Sequence, residues 1–316
     1  MSKDKRKKIL TLATVGVGLA GLGVWACMRS LAIKLVTNPP QATSDETPAD
    51  YDLPFEETWF DSRDGIRLHG WFVPATNSKA TIILGHGHVS SKEPSLSIAA
   101  FLWRAGYSIF MFDFRGHGRN ERGGVSIGYK ERMDVHGAVD YLVGRGEDRL
   151  GYMGFSMGAA IGIIAAAENP LVQTVIADSA FARLNSSVTA YIRLKQKWVP
   201  AWLSWWLARF TIWTVAGHFG YHHRLADPVN FVAQIAPRPL FIIHGELDRL
   251  TPLENAQELY QAAHKPKELW VQTGLPHCCG FEQLGQVYQQ RILDFLAQVE
   301  WTTSNFTAKN FQPIYL

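Results

Sequence analysis

The sequence predicts an α/β fold with a mostly parallel central sheet, helices on both faces, an inserted helical cap and an N-terminal transmembrane helix. Strand-like apolar runs alternate with helix-like segments, as in a sheet built with crossover helices. Most of these runs are continuously apolar, which is typical of strands covered on both faces. The chain has 316 residues, of which 47% are hydrophobic, and this is enough for one large core.

The N-terminus carries the signal for a membrane anchor. Residues 9–28 are 20 consecutive uncharged and mostly apolar positions. As a helix they would extend about 30 Å, the thickness of the hydrocarbon core of a bilayer. Five cations precede this run, so the positive-inside rule places the N-terminus in the cytoplasm and the rest of the chain outside. We predict a basic tail and anchor over residues 1–34. The alternative is a cleaved signal peptide and a secreted protein.

Residues 35–56 are rich in Pro, Thr, Asp and Glu and are typical of a linker. The α/β domain is predicted over residues 57–300, followed by a C-terminal tail over residues 301–316. We predict strands at 66–74, 81–87, 108–114, 150–156, 174–179, 239–245 and 267–272 and helices at 93–105, 129–143, 157–168, 253–264 and 282–298. The first strand alternates polar and apolar residues, which indicates an antiparallel edge.

Residues 181–238 separate two predicted strands by far more than one crossover requires, and they predict an inserted cap. The cap contains "WVPAWLSWWLARFTIW", with five of the 11 tryptophans of the chain. No acidic residue occurs between Asp178 and Asp227, whereas Lys and Arg recur there. Two interpretations remain open: a hydrophobic cap packed on the sheet, or a lid that also contacts lipid.

The charge and the cysteines exclude several classes of protein. The net charge is +3, and residues 1–8 carry five cations against Asp4, so the remainder is close to neutral. This distribution predicts no nucleic-acid partner. Cys27, Cys278 and Cys279 do not form a disulfide framework, and no Cys/His spacing resembles a zinc site. We predict no metal and no cofactor.

The motif "GFSMG" places Ser156 between Gly154 and Gly158, where a predicted strand meets a predicted helix. The glycines allow the sharp turn that exposes a nucleophilic serine. A serine hydroxyl needs a base, and the base needs an orienting acid. Asp248 and His277 follow the last two predicted strands, so all three side chains are expected at the carboxyl ends of parallel strands. Glu246 is a close alternative acid.

The motif around Ser156 resembles that of the α/β hydrolases, and so do four other segments of the chain. These are "GHGH" at 85–88, "DFRGHG" at 113–118, "HGELDRLTP" at 244–252 and the histidine of "LPHCCGF". The resemblance covers about residues 66–298 and implies the α/β-hydrolase fold. Within the superfamily, the sequence is similar to the serine hydrolases that include peptidases, esterases and thioesterases. The resemblance also implies an oxyanion hole formed by the backbone N–H groups of His88 and Met157.

Three other polar residues of these motifs are interpreted as structural. Asp113, Arg115 and His117 are expected to brace the loop after the strand 108–114. His86 is expected to pack under the oxyanion loop, because no carboxylate stands at ligand spacing to make His86 and His88 a metal pair.

The predicted function is a membrane-anchored serine hydrolase that cleaves a small-molecule acyl ester, with Ser156 as nucleophile, His277 as base and Asp248 as its orienting acid. The large apolar cap favours an apolar acyl group. A peptidase or amidase would use the same residues and remains an alternative. A non-catalytic binding protein on a hydrolase fold is the second alternative. The predicted membrane contacts are the N-terminal helix and the tryptophan-rich cap.

Overall fold

A computed structural model describes residues 3–303 of the chain. The apolar runs form a sheet of eight strands with the spatial order β1-β2-β4-β3-β5-β6-β7-β8. The strands are β1 Glu56–Asp61, β2 Arg67–Val73, β3 Thr81–Gly85, β4 Ser108–Phe112, β5 Leu150–Phe155, β6 Val172–Asp178, β7 Leu240–Gly245 and β8 Lys267–Gln272. β3 to β8 are parallel, whereas β2 pairs antiparallel with both β1 and β4. The predicted antiparallel direction of β2 is correct, but the predicted edge position is wrong, because β1 pairs with the outer side of β2 and forms the edge.

The helices are α1 Lys3–Thr37, α2 Leu96–Arg104, α3 Glu131–Gly144, α4 Met157–Glu168, α5 Leu184–Lys195, α6 Ala201–Phe219, α7 Glu254–Ala262, α8 Gly280–Leu284 and α9 Gln286–Ala297. Side chains of α3, α4 and α7 pack on one face of the sheet. Side chains of α2 and α9 pack on the other. Both faces are therefore covered, and the predicted fold class is confirmed.

The structure differs from the sequence prediction at two elements of this fold. β1 was not predicted, because it is an edge strand in which only Phe60 is buried and the other residues are largely exposed. The helix predicted at 282–298 is divided into α8 and α9, because Gly285 between them has a positive φ of 49°. A positive φ interrupts a right-handed helix and is readily adopted by glycine.

The segment predicted as a linker, residues 35–56, makes ordered contacts with the domain. α1 continues into it as far as Thr37, and a 3₁₀ turn covers Pro48–Tyr51. Leu53 is buried in the core beneath α2 and α9. The segment is thus docked at several points rather than free. The predicted C-terminal tail, residues 301–316, lies outside the described residues from position 304 onward.

The predicted membrane span, residues 9–28, lies within α1. By length and composition, the part of α1 that could cross a bilayer is Ala20–Thr37, which overlaps the predicted span at residues 20–28 and ends nine residues later. The predicted cap forms α5 and α6, followed by short 3₁₀ turns that lead to β7. Ile212 and Ala216 of α6 share a buried cluster with Ala160 of α4. The cap therefore rests on the helix that begins directly after Ser156.

Candidate active site

Ser156 occupies a sharp turn between β5 and α4. Its φ and ψ of 53° and −116° lie in a region that non-glycine residues rarely adopt. Its N–H donates to the Asp178 carbonyl at 2.8 Å, which holds the turn against β6. Its side chain is half-buried, so the hydroxyl remains accessible. A strained serine at the end of a buried strand is the expected context of a nucleophile.

The two flanking glycines are required by close backbone packing. A Cβ atom on Gly154 would lie 2.6 Å from the carbonyl carbon of Gly158. A Cβ atom on Gly158 would overlap the carbonyl oxygens of Gly85 and His86. Because these contacts involve backbone, they cannot be relieved by moving a side chain. The glycines thus bring α4 and the loop after β3 together around Ser156.

The loop after β3 passes directly beside the serine. A Cβ atom on Gly87 would lie 3.5 Å from Cβ of Ser156. His88, the predicted oxyanion residue, follows Gly87 in this loop. Met157 is the first residue of α4, so its N–H has no acceptor within the helix. The geometry places both predicted N–H donors in segments adjacent to the serine.

Asp248 and His277 form a short hydrogen bond. Nδ1 of His277 lies 2.6 Å from Oδ2 of Asp248, whose side chain is fully buried. Burial alone would raise the pKa of Asp248, but the hydrogen bond from His277 and those from Thr251 hold this pKa below its ordinary value. An ionised carboxylate only accepts, so Nδ1 carries a proton, and in the neutral imidazole Nε2 is the nitrogen that can accept one.

The alternative acid, Glu246, lies elsewhere. Its side chain is exposed, and its carboxylate accepts the Gly274 N–H at 2.8 Å. This contact joins the loops after β7 and β8. Of the two candidate acids, the structure brings Asp248 to the histidine.

Thr251 completes the environment of Asp248. Its hydroxyl donates to Oδ2 of Asp248 at 2.7 Å, and its N–H donates to Oδ1 at 2.8 Å. The N–H of Leu250 also donates to Oδ1, at 2.9 Å. Thr251 was not predicted as a site residue. Its position three residues after an aspartate, in a turn, is the signal that points to such local capping.

A second buried network holds the loop that carries His277. The Tyr288 hydroxyl donates to Asp178 at 2.7 Å, and the Ser179 hydroxyl donates to the same carboxyl at 2.9 Å. Ser179 in turn accepts the N–H of Cys278, next to His277, at 3.1 Å. Since Asp178 also binds the Ser156 N–H through its carbonyl, the network connects the serine turn to the histidine loop. Sequence reasoning identified none of these contacts.

Among the hydrogen bonds of residues 3–303, none joins the Ser156 hydroxyl to His277. Catalytic hydrogen bonds are often long before substrate binds. The structure therefore brings Asp248 and His277 into contact, at the carboxyl ends of the neighbouring strands β7 and β8. Ser156 follows β5, on the other side of β6, and is connected to them through the hydrogen bonds of Asp178 and Ser179.

Three histidines lie in or against the loop after β3, which carries the predicted oxyanion residue His88. Nδ1 of His86 donates to the Gly87 carbonyl at 2.7 Å, and Nε2 accepts the Phe114 N–H at 3.0 Å. Burial lowers the pKa of His86 to about 3 and that of His88 to about 4, with a smaller contribution from His117 in each case. His117 lies against both rings. The loop is thus supported by neutral imidazoles.

The residues interpreted as structural make bracing contacts. Asp113 is fully buried and accepts from Nζ of Lys92 at 2.6 Å and from its backbone N–H at 2.9 Å. Arg115 pairs with Asp64 and Asp134. Lys92 follows the oxyanion loop, so its contact with Asp113 fixes the distal end of that loop. Sequence reasoning did not identify Lys92.

No group of three or more His, Cys, Asp or Glu side chains suited to a metal occurs within residues 3–303.

A groove of about 520 Å³ between α2 and α9 includes Phe101, Phe281 and Leu293 and contains none of the predicted site residues. The cap approaches the site instead: the Ser187 hydroxyl of α5 donates to the Leu250 carbonyl at 3.4 Å, beside Asp248.

Comparison with known proteins supports this fold. Residues 76–230 match the family model described as serine aminopeptidase, S33. The chain is 27% identical over 252 residues to the uncharacterised protein YfhR of Escherichia coli K12, covering 76% of this chain and 80% of that protein. It is 23% identical over 305 residues to the α/β-hydrolase domain-containing protein WAV2 of Arabidopsis thaliana, covering 89% and 91%.

Among solved structures, the esterase Pf2001 of Pyrococcus furiosus superposes with a TM-score of 0.71 at 28% identity, covering 84% of this chain and 98% of the esterase. The resemblance to α/β hydrolases that the motifs indicate is confirmed by these similarities. The family model includes Ser156 and His88, whereas Asp248 and His277 lie beyond it.

Proposed function

We propose that this chain, which belongs to the α/β-hydrolase superfamily, is a membrane-anchored serine hydrolase of acyl esters with an apolar acyl part. The observation that carries the proposal is the short contact between His277 and the buried Asp248, linked through Ser179 and Asp178 to the Ser156 turn. Esterase Pf2001, a structural relative at 28% identity, supports the same reaction class.

In the proposed reaction the Ser156 oxygen attacks the acyl carbonyl carbon while Nε2 of His277 takes the hydroxyl proton. The carbonyl oxygen becomes an oxyanion, which the N–H groups of Met157 and His88 stabilise. Collapse of this intermediate releases the alcohol, which takes the proton from His277. Water then attacks the acyl-enzyme by the same steps and releases the carboxylic acid. Asp248 holds the imidazole tautomer and stabilises its charged form.

The family description, serine aminopeptidase, favours a second candidate. An aminopeptidase substrate presents a cationic ammonium group close to the scissile bond, and a carboxylate is the side chain that would bind it. The cap residues between Asp178 and Asp227 contain no acidic side chain. This absence supports an ester with a neutral acyl part over an N-terminal peptide.

We also propose that α1 is retained as an anchor, with its N-terminus in the cytoplasm and the hydrolase domain on the other side. α1 continues without a break from the apolar run into the part that contacts α6 of the cap, which supports one retained helix. The alternative is a cleaved signal sequence. Mass spectrometry of the protein from cell membranes distinguishes the two by the presence of residues 1–34.

The proposed reaction is tested with the full chain in detergent. A fluorophosphonate probe should label Ser156, and p-nitrophenyl acyl esters of increasing chain length should be hydrolysed faster than aminoacyl p-nitroanilides. Faster cleavage of the anilides would favour the aminopeptidase. Absence of both labelling and turnover would indicate a non-catalytic binding protein.

A further inference from the structure

The outer surface of α6 exposes the largest apolar side chains of the cap. Its four tryptophans, Trp202, Trp205, Trp206 and Trp213, are 66%, 41%, 58% and 67% exposed. Together with the exposed Arg209 they follow helical spacing along one side of the helix. We call these five residues the tryptophan face. Soluble surfaces rarely carry such a contiguous apolar patch without a binding role.

The buried residues of α6 are smaller than its tryptophans. Ser204, Ala208, Ile212 and Ala216 are buried, and Ile212 and Ala216 belong to the cluster that also contains Ala160 of α4. These residues attach α6 to the rest of the domain. The tryptophans contribute little to this attachment, so their exposure calls for a partner outside the domain.

The charges around the tryptophan face favour an anionic partner. Arg193, Lys195 and Lys197, at the corner between α5 and α6, are exposed and form no ion pair with any residue in the described range. Trp198 at the same corner is 78% exposed. Tryptophan combined with cations and without acids is the composition of protein surfaces in lipid headgroup layers.

The position of α1 favours the lipid bilayer as the partner of the tryptophan face. α1 packs against α6, and its residues Ala32, Ile33 and Val36 are partly buried. The guanidinium of Arg29 lies 5.9 Å from the centroid of the Trp25 ring, close to the outer end of the predicted span 9–28. The candidate span of the structure, Ala20–Thr37, ends within one helical turn of Val36. With either span, an element packed on residues 32–36 lies at the outer boundary of the bilayer, next to a headgroup layer roughly 5–8 Å thick.

We infer that the tryptophan face is a membrane-contact surface, seated in the headgroup layer of the bilayer that α1 crosses. Ile212 and Ala216 of the same helix belong to the buried cluster that contains Ala160 of α4, so this contact places the candidate active site close to the lipid. Resting on the function proposed above, the inference narrows the substrate to acyl esters of lipids in that membrane. A second copy of the chain or a soluble protein partner are the competing occupants.

The contact is tested with the full chain reconstituted in vesicles of phosphatidylcholine and phosphatidylglycerol. Lipid brominated near the headgroup end of its acyl chains quenches tryptophan fluorescence by contact. The parent protein should be quenched strongly. The variant Trp202→Ala/Trp206→Ala/Trp213→Ala should lose the part of this quenching that the three rings contribute, whereas Trp25 of α1 remains quenched. Equal quenching of parent and variant would overturn the inference.

Two matched variants control for indirect effects. Trp59→Ala removes a ring that is 46% exposed on β1, far from α6 in the chain, and should leave quenching near the parent value. Trp→Tyr at the same three positions keeps residues that favour the interface and should retain activity on membrane lipid. If the alanine variant instead abolishes a cross-linked dimer of the parent, and quenching is unchanged, the face binds a second copy and the inference fails.

Activity separates this inference from the proposed function. In the alanine variant, hydrolysis of a phospholipid with a fluorescent acyl chain in the bilayer should fall roughly tenfold, because the face no longer seats in the lipid. Turnover of soluble p-nitrophenyl butyrate and fluorophosphonate labelling should stay within about twofold, as for a surface change. If both substrates are inert in the parent, the proposed function fails while the quenching result still decides the membrane contact.

Discussion

Two regions of the molecule contrast with each other. Polar side chains are buried in the loops around Ser156, whereas apolar side chains are exposed on the outer side of α6. Asp178, Asp248 and Asp113 are buried and hydrogen-bonded, whereas Trp202 and Trp213 are among the most exposed large side chains of the described residues. Buried polar groups are tolerated when they are hydrogen-bonded, as these three carboxyls are, whereas exposed tryptophans require another explanation. The first region is therefore shaped by internal geometry and the second by contact with something outside the domain.

Ser156→Ala should have the largest effect, and it acts only on the first region. We expect turnover of soluble esters to fall by about 10⁴-fold or more, because no other group replaces the nucleophile. The melting temperature should be unchanged, since the half-buried hydroxyl makes no packing contact that alanine lacks. Near-normal turnover by this variant would remove Ser156 from the mechanism.

The second prediction compares the two acids of one loop. Asp248→Asn should lower turnover by roughly 10²- to 10⁴-fold, because the amide no longer favours the required imidazole tautomer. Glu246→Gln should stay within about twofold, since its carboxylate is exposed and binds only the Gly274 N–H. Steady-state kinetics on one soluble ester measure both. The reverse ranking would assign the orienting role to Glu246.

The third prediction places one methyl group in each region. Gly158→Ala should lower the free energy of unfolding by about 3 kcal/mol, since its Cβ meets backbone oxygens of the loop after β3. Gly217→Ala on α6 should raise it by about 0.5–1 kcal/mol, because an added Cβ contacts nothing within 4 Å and alanine favours helix. Denaturant unfolding in detergent measures both. Equal effects of the two substitutions would contradict the contrast between the regions.

The fourth prediction concerns acid. The pKa of His86 is about 3 in the folded protein, against about 6.5 in an unfolded chain. Below pH 6.5 the unfolded state binds a proton that the folded state does not, so stability is complete above this pH and falls on acidification. The loss from His86 is about 2 kcal/mol between pH 6.5 and 5.

Asp248 has a depressed pKa, so its contribution is lost only at lower pH, below about 4. Between pH 7 and pH 5 the buried carboxyl of Asp134, whose pKa burial raises to about 7, acts in the opposite direction, so the parent alone does not isolate the histidines. Unfolding free energies of the parent and of His86→Gln at both pH values separate the two contributions. The variant should lose less stability on acidification than the parent, although it is less stable at both pH values because two hydrogen bonds are removed. An equal loss in both proteins would show that His86 is not held neutral.

The sequence alone determined the elements whose signal is local. The continuous apolar run and the flanking glycines of "GFSMG" placed the turn at Ser156, and α4 has the bounds that were predicted, 157–168. The alternating pattern of β2 indicated its antiparallel pairing. These features depend on residues that are neighbours in the chain, so pattern and spacing are sufficient.

Tertiary structure decided what depends on residues distant in the chain. The Lys92–Asp113 pair and the network from Tyr288 to Cys278 join segments up to 110 residues apart, and no periodicity marks them. The composition of the cap does not determine whether the tryptophans of α6 face the domain or the outside, because a packed cap and a membrane lid would use the same residues. In the structure the smaller residues of α6 are buried and its tryptophans are exposed, because a helix that packs against a domain can bury only part of its surface.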